Sequence, residues 1–146
     1  MTIESQTLSY TAGEDELKGY MAYDDKSGSP RPGVIVVHEW WGLDDYIRTR
    51  ADKLAELGYA ALAIDMYGNG ATADSPDEAG AMMNAVLGNM EIGTSRLRAA
   101  HEVLCAQPMV DEKRTAAIGY CFGGAMVLHM ARIGMPLKAV VSFHGA

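Results

Sequence analysis

Several features that would define a class of protein are scarce or absent in this sequence. Only two of its 146 residues are cysteines, too few for a disulfide framework, which favours a protein of the reducing cytoplasm. Basic residues number 12 against 19 acidic ones, and the net charge of -7 argues against nucleic acid and anionic membranes as partners. No apolar run approaches the roughly 18 residues of a membrane span. Met1–Gln6 has neither the basic region nor the apolar core of a secretory signal.

What is present is typical of one globular domain. Hydrophobic residues make up 49% and charged residues 21% of the chain, which is long enough to bury a sizeable core. No internal repeat, low-complexity tract or linker divides it, so we expect a single domain over residues 1–146. No spacing of histidine, cysteine and carboxylate residues suggests a metal site, and no cofactor is indicated.

Short apolar runs separated by amphipathic segments predict alternating strands and helices. Thr7–Tyr10 and Leu17–Tyr23, joined by a polar turn, favour an N-terminal antiparallel hairpin. The β-branched run Val34–His38 is typical of a strand covered on both faces. Further strands are predicted at Ala60–Ile64, Thr115–Ile118 and Lys138–Phe143.

Helices are predicted between these strands. Gly58 ends the first, and the capping box Ser75–Glu78, with proline at the first helical position, begins the second. A third helix has an apolar stripe that includes Leu97, Ala100, Leu104 and Cys105. Strands alternating with helices predict an α/β fold, namely a doubly wound, mostly parallel sheet with helices on both sides. In such sheets, ligands bind beyond the carboxyl ends of the strands.

The segment Gly119-Tyr120-Cys121-Phe122-Gly123-Gly124 follows one apolar run and opens a helical pattern. A turn this sharp strains its central residue, and glycines two positions either side remove the Cβ atoms that would collide. This pattern is typical of a nucleophile elbow, with Cys121 in place of the usual serine. A helix N-terminus favours thiolate over thiol, so Cys121 is the predicted nucleophile. The alternative is a buried free cysteine in a tight turn.

Four segments, in this order, resemble the dienelactone hydrolase family: Val37–Gly42, Asp65–Gly68, Gly119–Gly124 and Ser142–Gly145. The resemblance covers essentially the whole chain and corresponds to the N-terminal part of that family's α/β-hydrolase fold. It is specific, because a cysteine elbow occurs together with a glutamate that closes an earlier strand in few other families.

The resemblance implies roles for individual residues. Cys121 would be the nucleophile, and Glu39 would contact its resting thiol and help to control its ionisation. The backbone N–H groups of Trp40 and Phe122 would form the oxyanion hole, where preorganised donors are worth about 3–4 kcal/mol each. The reaction implied is hydrolysis of a small-molecule ester or lactone through a thioester acyl-enzyme.

The sequence departs from the family pattern in two places. The family's aspartate and histidine lie well beyond the elbow, but this chain ends 25 residues after Cys121, so we expect a fold truncated after the next strand. Asn69 stands where the enzymes that hydrolyse dienelactone carry an arginine for the substrate carboxylate, which favours a broader ester or lactone substrate. Candidate pocket residues, each following a strand at the same rim, are Tyr67, Asn69 and His144.

Structural roles are expected for the remaining polar candidates. Because His38 precedes Glu39, strand alternation points its side chain to the opposite face of the sheet. Asp65 is expected to hydrogen-bond the turn that follows it. His101 and His129 are expected to lie on helices, away from the rim. Cys105 is expected to lie in the core.

Three functions are compatible with such a chain. Ester or lactone hydrolysis is the leading hypothesis, and a non-catalytic or truncated fragment that acts as a binding domain stays open. A nucleotide-binding domain is disfavoured, because the bulky, acidic loop Glu39–Gly42 would keep a pyrophosphate from the backbone. The apolar run Ala139–Phe143 reads as a fully covered strand, yet no later strand is predicted to pair with it. Self-association through this edge is therefore expected.

Overall fold

The order of the elements follows the alternation that the sequence predicts. A computed structural model describes residues 2–26 and 28–145. These residues form, in chain order, β1 (Ile3–Ala12), β2 (Asp15–Asp24), β3 (Arg31–Val37), α1 (Asp45–Glu56), β4 (Ala60–Ile64), α2 (Pro76–Leu87), α3 (Met90–Cys105), β5 (Val110–Tyr120), α4 (Phe122–Arg132) and β6 (Ala139–Phe143). The strands make one sheet in the order β1-β2-β4-β3-β5-β6.

The sheet combines an antiparallel hairpin with a parallel part. β1 and β2 pair along their whole length, from Ile3 opposite Asp24 to Ala12 opposite Asp15. β2 pairs antiparallel with β4, whereas the ladders β3–β4, β3–β5 and β5–β6 are parallel. The predicted hairpin and mostly parallel sheet are confirmed. Because β3, β4, β5 and β6 run in one direction, the segments that follow them meet at one rim of the sheet.

Helices cover both faces of the sheet, and this explains why the sequence of β3 is apolar from Val34 to Val37. Val34 and Val36 face the layer that contains α1, whereas Ile35 and Val37 face the layer that contains α3 and α4. Successive side chains of a strand alternate between faces, so a strand covered on both sides needs apolar residues at every position. The residues that α3 and α4 bury include Leu97, Leu104, Met126 and Met130.

Helix starts agree with their sequence signals. The Ser75 hydroxyl accepts a hydrogen bond from the N–H of Glu78 at 3.2 Å, and Pro76 is the first residue of α2. The carboxylate of Asp44 caps α1 by accepting from the N–H of Ile47 at 3.2 Å. None of the helices in the described ranges combines the length and the apolar content that a membrane crossing requires.

The last strand lies at the edge of the sheet. Within the described residues β6 pairs with β5, and no further strand lies beyond it. Its apolar sequence suggests cover on both faces, but this expectation is wrong, since Val141 is 44% and Phe143 is 43% exposed. Leu128 of the neighbouring α4 is also exposed. The chain therefore presents apolar side chains beside an unpaired strand edge.

Candidate active site

The turn between β5 and α4 has the geometry of a nucleophile elbow. Cys121 lies between the last residue of β5 and the first residue of α4, with φ 57° and ψ -116°. A positive φ is rare for a residue with a side chain, and holding one there costs about 1–3 kcal/mol, which the surrounding structure must supply. The predicted strand-turn-helix arrangement is confirmed.

Glycines make this turn possible. A Cβ on Gly119 would overlap the carbonyl group of Gly123, and a Cβ on Gly123 would overlap the carbonyl of Val37 and lie 2.7 Å from the carbonyl oxygen of His38. Real Cβ atoms essentially never approach so closely. The start of α4 therefore packs directly on the main chain at the end of β3.

Cys121 is half-buried at the N-terminus of α4. Its N–H donates to the carbonyl oxygen of Phe143 at 2.9 Å, which joins the elbow to the end of β6. Its carbonyl accepts from the N–H of Gly124 at 2.9 Å. Phe122 is the first helical residue, and an N–H at this position has no acceptor within its own helix. The positive end of the helix dipole thus lies beside the thiol.

The loop after β3 closes with a tight turn. The N–H of Gly42 donates to the carbonyl oxygen of Glu39 at 3.2 Å, and Gly42 has φ 95°. A Cβ on Gly42 would lie 2.6 Å from the carbonyl oxygen of Ala71, so only glycine fits. Glu39 is half-buried, and the half-buried ring of Trp40 packs against the core.

Tyr67 connects this loop with the elbow. Its hydroxyl donates to the carbonyl oxygen of Trp40 at 2.8 Å, and its ring stacks on that of Phe122 with centroids 5.8 Å apart. Burial and, to a smaller extent, the charge of nearby Cys121 raise the pKa of Tyr67. The hydroxyl therefore keeps its proton and remains a donor. Among the pocket candidates, Tyr67 is the one that these contacts bring to Cys121.

His38 is fully buried and joins two loops, a function that strand alternation did not indicate. Its Nδ1 lies 2.6 Å from the carbonyl oxygen of Glu39, and its Nε2 accepts from the N–H of Met66 at 3.1 Å. Its ring also lies near those of Tyr67 and Phe122, with centroids 4.8 and 5.9 Å away. Burial lowers the pKa of His38, which favours the neutral ring.

Asp65 holds the loop that carries Tyr67. Its buried carboxylate accepts hydrogen bonds from four main-chain N–H groups, at 2.8 to 3.0 Å: those of Lys18, Tyr67, Gly68 and Gly70. The expected hydrogen bonds to the following turn are confirmed. The bond to Lys18 adds a connection to β2 that sequence spacing could not indicate.

Asn69 and His144 lie apart from these contacts. Asn69 is exposed, with φ 53°, and its N–H donates to the carbonyl oxygen of Glu16 at 2.8 Å. It lines a groove with residues of the hairpin and of α1, among them Lys18, Tyr20 and Arg48. His144, exposed and with φ 38°, follows the residue whose carbonyl accepts from Cys121.

The model of the dienelactone hydrolase family matches residues 17–146 of the chain. The chain belongs to the dienelactone hydrolase family. Its α/β-hydrolase fold, with the N-terminal hairpin, is the one expected from the sequence.

Relatives within this family include enzymes with named activities. A carboxymethylenebutenolidase from Pseudomonas putida is 31% identical over 120 residues, which cover 77% of this chain and 50% of the relative. Protein usf from Aquifex pyrophilus is 32% identical over 145 residues, covering 96% of this chain and 61% of the relative. A solved dienelactone hydrolase-like promiscuous phosphotriesterase from metagenomic libraries is 41% identical, with a TM-score of 0.95 over 99% of this chain and 60% of that one. The chain thus spans half to three fifths of the length of these relatives.

The second thiol lies elsewhere, on α3. Cys105 is half-buried and lines surface grooves, so the expectation that it lies in the core is wrong. Its Sγ lies 3.6 Å from Nε2 of His101, and burial raises the pKa of this thiol. The Nε2 of His101 lies 3.2 Å from the hydroxyl of Thr115, and that of His129 lies 2.9 Å from the hydroxyl of Thr94.

No cluster suited to a metal ion occurs in the part of the chain that the structure describes. In residues 2–26 and 28–145, no group of three or more histidine, cysteine, aspartate or glutamate side chains is placed to bind one.

Proposed function

We propose that this chain carries the nucleophile and the oxyanion hole of a carboxylic ester or lactone hydrolase that acts through Cys121. The observation that carries the proposal is the backbone of Cys121, held at φ 57° between β5 and the N-terminus of α4. Strain of this kind persists only where the surroundings enforce it, and here the glycine contacts enforce it. Membership of the dienelactone hydrolase family supports hydrolysis as the class of reaction.

The proposed reaction begins with attack by the Cys121 thiolate on the carbonyl carbon of the ester or lactone. A bond forms between Sγ and carbon, and the carbonyl oxygen becomes an oxyanion that the N–H groups of Trp40 and Phe122 bind. The C–O bond to the alcohol then breaks, and the alcohol oxygen takes up the proton that the thiol released when it formed the thiolate. Water attacks the resulting thioester, releases the carboxylic acid and restores the thiol.

Glu39 is proposed to lie beside the resting thiol. Its negative charge contributes to the raised pKa of Tyr120, although burial is the larger cause. Tyr120 immediately precedes Cys121 in the chain, and this proximity in sequence supports the proposed position of Glu39. A carboxylate in this position would oppose formation of a second negative charge on the sulfur until a substrate displaces it.

The proposed substrate is a small neutral ester or lactone. Carboxymethylenebutenolidase is the activity named for the relative from Pseudomonas putida. Asn69 carries no charge to hold a substrate carboxylate, and it lines the groove beside the hairpin. Tyr67 is proposed as a wall of the pocket, because it stacks on Phe122 next to the elbow. A working thiol also favours a cytoplasmic location, where cysteines stay reduced.

Acylation and deacylation place different demands on the site. Attack by the thiolate needs the elbow and the two N–H donors, whereas hydrolysis of the thioester needs a base that activates water. Among the described residues that follow Cys121, the exposed His144 is the candidate for this base. We therefore expect acylation of this chain to be faster than deacylation.

The test is acylation of the chain by p-nitrophenyl acetate. The proposal predicts a burst of about one equivalent of p-nitrophenolate and, by peptide mass spectrometry, one acetyl group on Cys121. Cys121→Ser should abolish the burst, and the matched control Cys105→Ser should leave it unchanged. A wild-type chain that releases no burst, or that carries the acetyl group on Cys105, would instead support a non-catalytic binding domain.

A further inference from the structure

The structure assigns to His38 a role in orienting the N–H of Trp40 towards the oxyanion. The His38 ring forms a hydrogen bond with the carbonyl oxygen of Glu39, which belongs to the same peptide unit as that N–H. His38 is thus a positioning residue, which acts through the main chain and does not itself touch the substrate. This inference rests on the proposed function, because it concerns the oxyanion hole of that reaction. It adds a residue that neither the sequence pattern nor the resemblance singled out.

The geometry of one peptide unit makes the connection. The carbonyl of Glu39 and the N–H of Trp40 belong to the same planar group, and the described backbone contains no cis peptide. In a trans peptide these two bonds point in opposite directions, so a group that fixes the oxygen also fixes the direction of the N–H. Nδ1 of His38 lies 2.6 Å from that oxygen, and the N–H of Gly42 donates to it at 3.2 Å.

The second ring nitrogen determines where the proton of His38 lies. The main-chain N–H of Met66 can only donate, so Nε2 must offer its lone pair, and the proton must sit on Nδ1. The Nδ1–H group then donates to the Glu39 oxygen. Burial favours the neutral ring, against the charges of Asp65 and Asp44, which favour the charged one. The neutral Nδ1–H form is thus the one that makes both bonds.

The next peptide unit is held as well. The carbonyl oxygen of Trp40 accepts the Tyr67 hydroxyl at 2.8 Å, so the main chain is fixed on both sides of the Trp40 Cα atom. His38 and Tyr67 both connect the loop after β3 with the loop after β4, which Asp65 holds. His38 does so through the N–H of Met66, and Tyr67 belongs to the second loop itself.

The experiment compares two reactions of Cys121 in the full chain. Acylation by p-nitrophenyl acetate develops an oxyanion, whereas alkylation by iodoacetamide displaces iodide and develops none. The ratio of the two rate constants therefore reports on the oxyanion hole separately from the state of the thiol. Two variants separate the bonds of His38: the amide nitrogen of His38→Asn can reach the Glu39 oxygen, whereas the longer side chain of His38→Gln reaches towards Met66.

We expect His38→Asn to keep the acylation rate within about threefold, and His38→Gln to lower it by about 10- to 100-fold, part of the loss of a full oxyanion donor. Both should be alkylated at the wild-type rate. Equal acylation rates in the two variants, or losses in acylation and alkylation that run in parallel, would overturn the positioning role. A wild-type chain that is alkylated but never acylated would overturn the proposed function instead, and with it the oxyanion role.

Nitrogen NMR of the histidine side chains gives a second measurement that needs no activity. We expect His38 to give the signals of a neutral ring with its proton on Nδ1. The variants Tyr67→Phe and Cys121→Ser should both keep these signals. A proton on Nε2, or a charged ring at neutral pH, would refute the inference whatever the variants do in the assay.

Discussion

The hydroxyl of Tyr67 donates a hydrogen bond to the main-chain oxygen of Trp40 at 2.8 Å. Tyr67 comes from the loop after β4 and Trp40 from the loop after β3, two strands that are neighbours in the parallel part of the sheet. The same tyrosine ring stacks on Phe122. A single side chain therefore contacts both residues whose N–H groups form the proposed oxyanion hole.

Tyr67→Phe should weaken the oxyanion hole without disturbing the ring stack. Loss of one neutral hydrogen bond is worth about 1 kcal/mol, so acylation of Cys121 should slow roughly fivefold. The measurement is the p-nitrophenolate burst, and the control is Tyr59→Phe, at an exposed position after α1. An unchanged burst rate in Tyr67→Phe would show that the Trp40 carbonyl does not need this donor.

Glu39→Gln should make Cys121 react faster with iodoacetamide at neutral pH. If Glu39 lies beside the sulfur as proposed, removing its negative charge favours the thiolate, which is the form that reacts. Glu14→Gln, at an exposed position in the turn of the hairpin, makes the same chemical change far from the elbow and should leave the rate unchanged. If both variants react like the wild type, Glu39 does not lie next to the thiol.

Gly123→Ala should destabilise the fold strongly. The added Cβ would overlap the main chain of Val37, which cannot move without disturbing β3, and overpacking of this kind costs about 3 kcal/mol or more. Urea unfolding followed by circular dichroism measures the loss. Gly28→Ala, where a Cβ would meet nothing within 4 Å, should change stability by less than about 0.5 kcal/mol. Equal stabilities would contradict the close approach of α4 to β3.

The dependence of stability on pH should carry the signature of His38. Burial lowers its folded-state pKa below the ordinary value of 6.5, so the unfolded chain takes up the proton first. The contribution of neutral His38 to the free energy of unfolding is therefore complete above about pH 6.5 and is lost as the pH falls below that value.

His38→Asn provides the comparison for this effect, because it lacks the titrating ring while His101 and His129 remain. The free energy of unfolding of His38→Asn should fall less steeply between about pH 6.5 and 5 than that of the wild type. Urea unfolding at several pH values gives both slopes. Identical slopes would mean that His38 takes up its proton equally readily in the folded and unfolded chains.

The edge of β6 should promote self-association. Val141 and Phe143 are exposed beside a strand edge that is unpaired within the described residues, and such edges serve as templates for another chain. Val141→Lys should lower the associated fraction seen by size-exclusion chromatography with light scattering. Ser9→Lys adds the same charge to β1 at the opposite edge and should have little effect. A wild-type chain that is monomeric at high concentration would refute the role of this edge.

Much of the elbow could be predicted from the sequence, because its glycines are a steric requirement. Gly119 and Gly123 are needed wherever the chain turns this sharply, so their spacing around Cys121 identifies the turn. The strand β3 was predictable for a similar reason, since cover on both faces leaves room only for apolar side chains.

The contacts of His38 could not be predicted from the same pattern. Alternation between faces holds only within a strand, and β3 ends at Val37, so His38 has already left the ladder. Its partners, the Glu39 carbonyl and the Met66 N–H, are main-chain groups that every sequence possesses. Cys105 shows the converse limit, because helical periodicity places it on the apolar stripe but does not show that the groove beside it is open.

The carboxylate of Asp65 is bound by four main-chain N–H dipoles at 2.8 to 3.0 Å. Dissolved ions weaken interactions between exposed charges over distances near a Debye length, about 8 Å at physiological ionic strength, but hardly affect buried partners in contact. The loop that presents Tyr67 should therefore keep its shape from dilute buffer to high salt. Any change of the reaction rate with ionic strength would then have a cause other than loss of this support.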